Sequence, residues 1–181
     1  AELHTQSLVT FMHDSVDMKE ATLVLFSSRR QMLEVYQSVS REFRSAILLQ
    51  DDYSKQQLLQ LHRERIDKKD ASVIFFFACF AEGVDLPGDY LRHVVIAKIP
   101  FAPPDNPVDQ TLSEWIEAQG GNAFMQISVA EASLRLVQAS GRLLRTETDT
   151  GRITILDRRL VTKRYGRALL DSMPPYQRVL G

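Results

Sequence analysis

Val73-Ile74-Phe75-Phe76-Phe77 is an unbroken apolar run, the signature of a strand buried on both faces of a parallel sheet rather than half-exposed in an antiparallel one. Working outward, Leu23 to Phe26, Ala46 to Leu49, Val94 to Ala97 and Ile153 to Leu156 are similar but shorter runs. Stretches of helical period lie between them, with Met32, Val35, Tyr36 and Val39 in one and Leu58, Leu61 and Ile66 in the next. Strands alternating with helices predict an α/β fold with a mostly parallel central sheet flanked by helices, and Val73 to Phe77 as its central strand. Leu8, Phe11, Met12 and Val16 predict a further helix before the first strand. Ala123 to Arg145 has almost no breaker before Gly141 and predicts the longest helical stretch. Leu160 to Met173 predicts a last helix, stopped by Pro174 and Pro175.

At 181 residues with 44 % apolar content, the chain can supply one hydrophobic core. A single domain over residues 1–181 is expected, with residues 1–22 as a leading helix or junction. Residues 100–123 carry Pro100, Pro103, Pro104, Pro107, Gly120 and Gly121, which predicts an irregular excursion around a short helix near Trp115. The start at Ala1 rather than Met is what a fragment of a longer protein would show.

The 22 basic and 23 acidic residues nearly cancel, which excludes a uniformly basic nucleic-acid coat protein. The cancellation hides opposed patches, for which two ordinary solvated faces are the plainer alternative. No Lys or Arg occurs from Asp105 to Leu134, whereas Arg152, Arg158, Arg159, Lys163, Arg164, Arg167 and Arg178 face only Asp157 and Asp171 in the last part of the chain. The single cysteine, Cys79, excludes an internal disulfide framework, a four-thiolate zinc site and an iron–sulfur cluster held by this chain alone. His4, His13, His62 and His93 show no metal-ligand spacing and are expected at the surface or partly buried. No apolar run approaches the roughly 20 residues that cross a bilayer, and no signal-peptide order opens the chain. A soluble, cytoplasmic protein without membrane contact is expected.

The chemistry is concentrated near the end of the longest helical stretch. Gln138, Gly141, Arg142 and Arg145 are spaced so that Gln138, Arg142 and Arg145 project from one polar helix face while Leu136, Ala139 and Leu143 occupy another. Guanidinium groups suit phosphate because they are planar, permanently charged and bidentate. Gly141 in mid-helix costs about 1 kcal/mol relative to Ala, which points to a backbone or ligand approaching closely there. A solvent-facing arginine pair with an incidental glycine is the plainer alternative. The second feature is Ala81-Glu82-Gly83-Val84-Asp85, a glycine turn between carboxylates at the C-terminal end of the most apolar strand, where ligands bind in open α/β folds.

Together these segments resemble a known family. Gln138-Ala139-Ser140-Gly141-Arg142-Leu143-Leu144-Arg145 resembles motif VI of superfamily 2 helicases, and Ala81-Glu82-Gly83-Val84-Asp85 resembles motif V in the form of the XPD and DinG branch. Leu25-Phe26-Ser27-Ser28 is similar to motif IV. Asp149-Thr150-Gly151, Asp157-Arg158-Arg159 and Tyr165 also resemble the bacterial DinG group. The resemblance implies the second of two RecA-like motor domains, a three-layer fold that completes an ATP site whose phosphate loop and magnesium ligands belong to the first.

By that resemblance, Arg142 and Arg145 reach the γ-phosphate of ATP as arginine fingers, Gln138 places the triphosphate or the attacking water, and Gly83, Asp85, Glu82 and Gly141 line the nucleotide side; the alternative for Asp85 is a structural one, an ion pair that braces Arg142. Ser27, Ser28, Arg29, Arg30 and Phe80 grip single-stranded DNA, although Ser27 or Ser28 before a helical run also reads as an ordinary N-cap. The implied cofactors are ATP and Mg2+, shared with the first domain, and a [4Fe-4S] cluster whose cysteines lie elsewhere. The implied partners are single-stranded DNA and the N-terminal RecA-like domain of the same protein, in a monomeric enzyme of DNA repair. No GxxxxGK[ST] phosphate loop occurs in this sequence. An alternative is therefore a stand-alone RecA-like nucleic-acid-binding or scaffolding module without hydrolysis.

Overall fold

A computed structural model of the chain describes residues 2–77, 84–101, 107–143, 150–173 and 177, without the side chains of 107–109 and 142–143. It forms two compact units, Ala1–Lys98 with Gly141–Leu156, and Ile99–Ser140 with Asp157–Gly181.

The first unit is built on a five-stranded sheet. Its elements are α1 (Glu2–Ser15), β1 (Thr22–Phe26), α2 (Arg29–Ser38), α3 (Arg41–Ala46), β2 (Ile47–Leu49), α4 (Lys55–Asp67), β3 (Val73–Phe77), β4 (His93–Ile96) and β5 (Arg152–Ile155). All pairings are parallel, in the order β2-β3-β1-β4-β5. The apolar run Val73–Phe77 is thus interior but not central. β1 holds the middle position, because the chain crosses over β3 to lay down β2 before returning.

One face of the sheet, with Val24, Phe26, Ile47, Leu49, Val73, Phe75, Val95 and Ala97, packs under α1, α2 and α3 through Leu8, Met12, Met32, Val35 and Phe43. The other face, with Leu23, Leu25, Leu48, Ile74, Phe76, Val94 and Ile96, is equally buried. The step from β1 to β2 and the step back to β3 run in opposite directions along the sheet, and right-handed crossovers therefore place α4 on the opposite side from α2 and α3. The helices α2, α3 and α4 begin where serines cap them. The hydroxyls of Ser28, Ser40 and Ser54 accept the amide N–H groups of Gln31, Phe43 and Gln57 at 3.2, 3.1 and 3.2 Å.

Two histidines are more buried than the sequence suggests. His62 and His93 are fully enclosed. The His62 ring lies 2.7 Å from the Tyr90 carbonyl through Nε2 and 2.6 Å from the Ser72 hydroxyl through Nδ1. A carbonyl only accepts, so Nε2 carries the proton and Nδ1 takes the Ser72 hydrogen. His93 meets Thr154 Oγ1 at 2.8 Å through Nε2, and its Nδ1 is buried with no hydrogen-bond partner among the described residues. Burial, reinforced by nearby arginines, lowers both rings from 6.5 to about 4.

Because the unfolded chain binds these protons more readily, stability is full above pH 6.5 and is lost as pH falls toward 4. Between pH 7 and 5 each histidine should remove about 2 kcal/mol of unfolding free energy. Urea unfolding at the two pH values measures the loss. His62→Gln, which keeps a donor for Tyr90 and an acceptor for Ser72, should halve it, and an unfolding free energy flat across this window would contradict the assignment.

The second unit contains α5 (Pro107–Ala118), a π-helical turn (Phe124–Val129) leading into α6 (Ala130–Leu143), and then α7 (Arg159–Thr162) and α8 (Arg164–Ser172). α6 passes its last residues to the first unit. The predicted last helix is therefore two, broken at Lys163, whose backbone is extended. The excursion of residues 100–123 contains the helix foreseen near Trp115. That helix ends at Ala118, two residues before Gly120, whose φ of +81° suits a glycine terminator.

Candidate functional site

The end of α6 is amphipathic over the residues whose side chains are described. Ala132, Leu136, Ala139 and Ser140 are buried, and the Ser140 hydroxyl donates back to the Leu136 carbonyl at 2.8 Å. Gln138 and Gly141 are exposed on the other side. A Cβ added at Gly141 would meet nothing within 4 Å among the described residues. The close backbone neighbour expected there is not found among them. The side chain of Arg142, and Arg145 altogether, lie outside the described residues, as do Glu82, Gly83 and Phe80.

At the C-terminal rim of the sheet, Ser27 and Ser28 follow β1 directly. Ser28 is the α2 N-cap, the ordinary role weighed against DNA contact, while Ser27 is exposed. Arg29 is engaged within the unit. Its guanidinium pairs with Asp51 at 3.0 Å and lies 5.1 Å from the centroid of the Phe77 ring. Arg30 pairs with Glu34 one turn along α2 at 2.9 Å, with 89 % of its side chain exposed, so that pair adds little and leaves the cation accessible. Asp85 is exposed, and its backbone carbonyl accepts a hydrogen bond from Arg63 on α4.

The second unit assembles a cluster that periodicity does not reveal. Phe101, Phe124 and Tyr165 meet edge-on or tilted, with ring centroids 5.2 to 5.7 Å apart. The Arg159 guanidinium sits 5.3 Å from the Phe101 centroid and is held by Asp157 at 2.6 Å. Asp157 also accepts the amides of Ile99 at 2.9 Å and Arg159 at 3.1 Å. Burial alone would push this carboxyl up, but the Arg159 and backbone hydrogen bonds outweigh it and hold it below its ordinary value. The ion pair correspondingly raises Arg159 above its own.

Phe124 remains 43 % exposed, presented by the π-helical turn, a geometry common at functional positions. Arg158, Lys163, Arg164 and Arg167 are exposed on α7, α8 and the residues that introduce them. The sequence signals for this cluster are the Asp157-Arg158-Arg159 and Tyr165 matches. Phe101 and Phe124 carry no local signal, because only folding brings them beside Tyr165.

The solved XPD helicase superposes with a TM-score of 0.68 over 94 % of this chain and 30 % of its own, at 21 % sequence identity. The fold is RecA-like, a mostly parallel sheet with helices. The family profile of the helicase C-terminal domain matches residues 12–176, and the chain belongs to that family.

Among its relatives, the ATP-dependent DNA helicase DinG of Photobacterium profundum is 43 % identical over 183 residues, covering 99 % of this chain and 26 % of the relative. The ATP-dependent DNA helicase DinG of Escherichia coli (strain K12) is 38 % identical over 177 residues, covering 97 % of this chain and 25 % of the relative. The chain thus spans about a quarter of the length of these relatives. Among the described residues no helix is long and apolar enough to cross a membrane.

Proposed function

We propose that this chain is the second motor domain of an ATP-dependent DNA helicase of the DinG type, completing an ATP site with Gln138, Gly141, Arg142 and Arg145 and with Glu82, Gly83 and Asp85. The observation that carries the reading is the end of α6. It has one buried apolar face, and an exposed face on which Gln138 and Gly141 stand at the spacing of motif VI. The phosphate loop, the Mg2+ ligands and the cysteines of the [4Fe-4S] cluster belong to the remaining three quarters of the polypeptide. The full-length protein acts in the cytoplasm as a monomer that tracks single-stranded DNA in repair.

For the DNA grip, the exposure of Ser27 and Arg30 supports the sequence-based candidates, and the second unit supplies candidates of its own. An exposed Phe124 face backed by Phe101 and Tyr165 is a stacking platform, and Arg158, Lys163, Arg164 and Arg167 supply charge for phosphates. Base stacking is worth about 1 to 3 kcal/mol per base. Phe124→Ala in the full-length enzyme should therefore weaken binding of an oligo-dT probe by about tenfold without altering its salt dependence. Arg164→Ala should reduce the slope of log affinity against log salt by about 0.7. Titration of labelled oligo-dT at several salt concentrations reads both effects. Affinity within twofold of wild type for Phe124→Ala would remove the platform from the proposal.

A further inference from the structure

β2 stops opposite Phe75, so Phe77, two residues further along β3, has passed the end of its neighbouring strand. The amide of Phe77 is satisfied by a side chain instead. Gln50, the residue after β2, accepts that N–H through Oε1 at 2.8 Å. Arg29 covers the Phe77 ring and is itself tied to Asp51. Where the chain is next described, α4 takes hold of it. Arg63 donates to the Asp85 carbonyl, the neighbouring His62 holds the Tyr90 carbonyl at 2.7 Å, and Asp67 accepts the Tyr90 hydroxyl at 2.7 Å. Val84 and Leu86, on either side of Asp85, are fully buried. Asp85 is thus an exposed carboxylate on a backbone fastened from below. Gln50 and Arg63 lie in different elements and are part of no motif, yet among the described residues Gln50 holds the backbone before the motif V segment and Arg63 the backbone of its last residue.

We infer that Gln50 and Arg63 are positioning residues for Asp85 and for the end of β3, setting ATP turnover without touching nucleotide or DNA. The inference rests on the reading of Asp85 as a nucleotide-facing residue. A side chain that fixes a backbone next to reacting groups acts through geometry, and a displacement of about 1 Å can cost on the order of a hundredfold in rate.

The test is steady-state ATP hydrolysis by the full-length helicase with saturating oligo-dT, for wild type, Gln50→Leu, Gln50→Glu, Arg63→Ala and Arg63→Lys, alongside thermal unfolding of each. Gln50→Leu and Arg63→Ala should lower kcat about tenfold to a hundredfold while KM for ATP moves less than about threefold. Gln50→Glu, which keeps an acceptor oxygen, should restore most of the loss, and Arg63→Lys, which keeps a donor, should restore part of it.

Turnover within twofold of wild type for both Gln50→Leu and Arg63→Ala overturns the inference and leaves the helicase reading standing. So does a loss that follows the unfolding temperature and is not relieved by Gln50→Glu, since that marks a purely structural role. Absence of DNA-stimulated hydrolysis in the wild type would overturn the functional reading, and this inference with it.

Discussion

Arg142→Ala in the full-length enzyme is expected to lower DNA-stimulated ATP hydrolysis by about 10³ or more, and Arg145→Ala by a comparable factor. The reason is where charge develops. A phosphoryl group in flight spreads negative charge over its equatorial oxygens, and a fixed guanidinium stabilises that charge far more than it stabilises bound ATP. The loss should therefore fall on kcat with little change in KM. Arg142→Lys should recover only a small part, because an ammonium lacks the planar fork that meets two oxygens at once.

Arg135 provides a control on the same helix. Its guanidinium already donates to the Pro100 carbonyl at 3.3 Å, so Arg135→Ala should leave turnover within about tenfold of wild type. Steady-state assays with and without single-stranded DNA decide the matter, and near-normal turnover by Arg142→Ala would reject the finger assignment. Such a result would favour the alternative of a RecA-like module that binds nucleic acid without hydrolysis.

The ease with which the sheet is read from sequence has a physical cause. Parallel strands covered on both faces need no alternation, so Leu23 to Phe26 and Val73 to Phe77 appear as uninterrupted apolar runs, and the observed strands begin and end within a residue of them. The end of α6 is legible as far as its side chains are described, with Leu136 and Ala139 on the buried side and Gln138 on the exposed one. What the sequence does not show depends on long-range partners. The buried state of His62 requires Ser72 and the Tyr90 carbonyl, and that of His93 requires Thr154 across the β4–β5 pair.

The cluster of Phe101, Phe124 and Tyr165 joins three separate elements, and its brace, Asp157, gains its partner Ile99 from 58 residues earlier in the chain. The helix break at Lys163 is hidden because neither Lys163 nor Thr162 is a breaker. The cause lies in how α8 seats against α7. Gly141 and Gly166 also look alike in sequence, each a glycine inside a helical stretch, and the structure separates them.

Gly166→Ala is expected to destabilise the second unit by about 3 kcal/mol, the upper part of the usual overpacking cost. Helix propensity alone predicts the opposite sign, a gain of about 1 kcal/mol from replacing glycine inside a helix. Packing decides the outcome. Gly166 is buried in α8, and a Cβ there would overlap the Leu160 carbonyl oxygen and lie 2.5 Å from its carbon and 2.6 Å from the Arg159 carbonyl oxygen.

These obstacles are backbone atoms of α7, so no rotamer change relieves them and α8 must shift bodily. Tyr165, the residue before it, would be carried away from Phe101 and Phe124, and oligo-dT affinity should fall together with stability. Gly141→Ala is the internal contrast. Nothing described lies within 4 Å of its added Cβ, so this substitution should be neutral or stabilising by up to about 1 kcal/mol. Urea unfolding of the two variants should therefore move in opposite directions from wild type. If Gly166→Ala unfolds at or above the wild-type midpoint, α8 does not seat on the α7 carbonyls. If Gly141→Ala is stable but loses ATP turnover, the open space beside α6 is filled by nucleotide or by the first motor domain in the working enzyme.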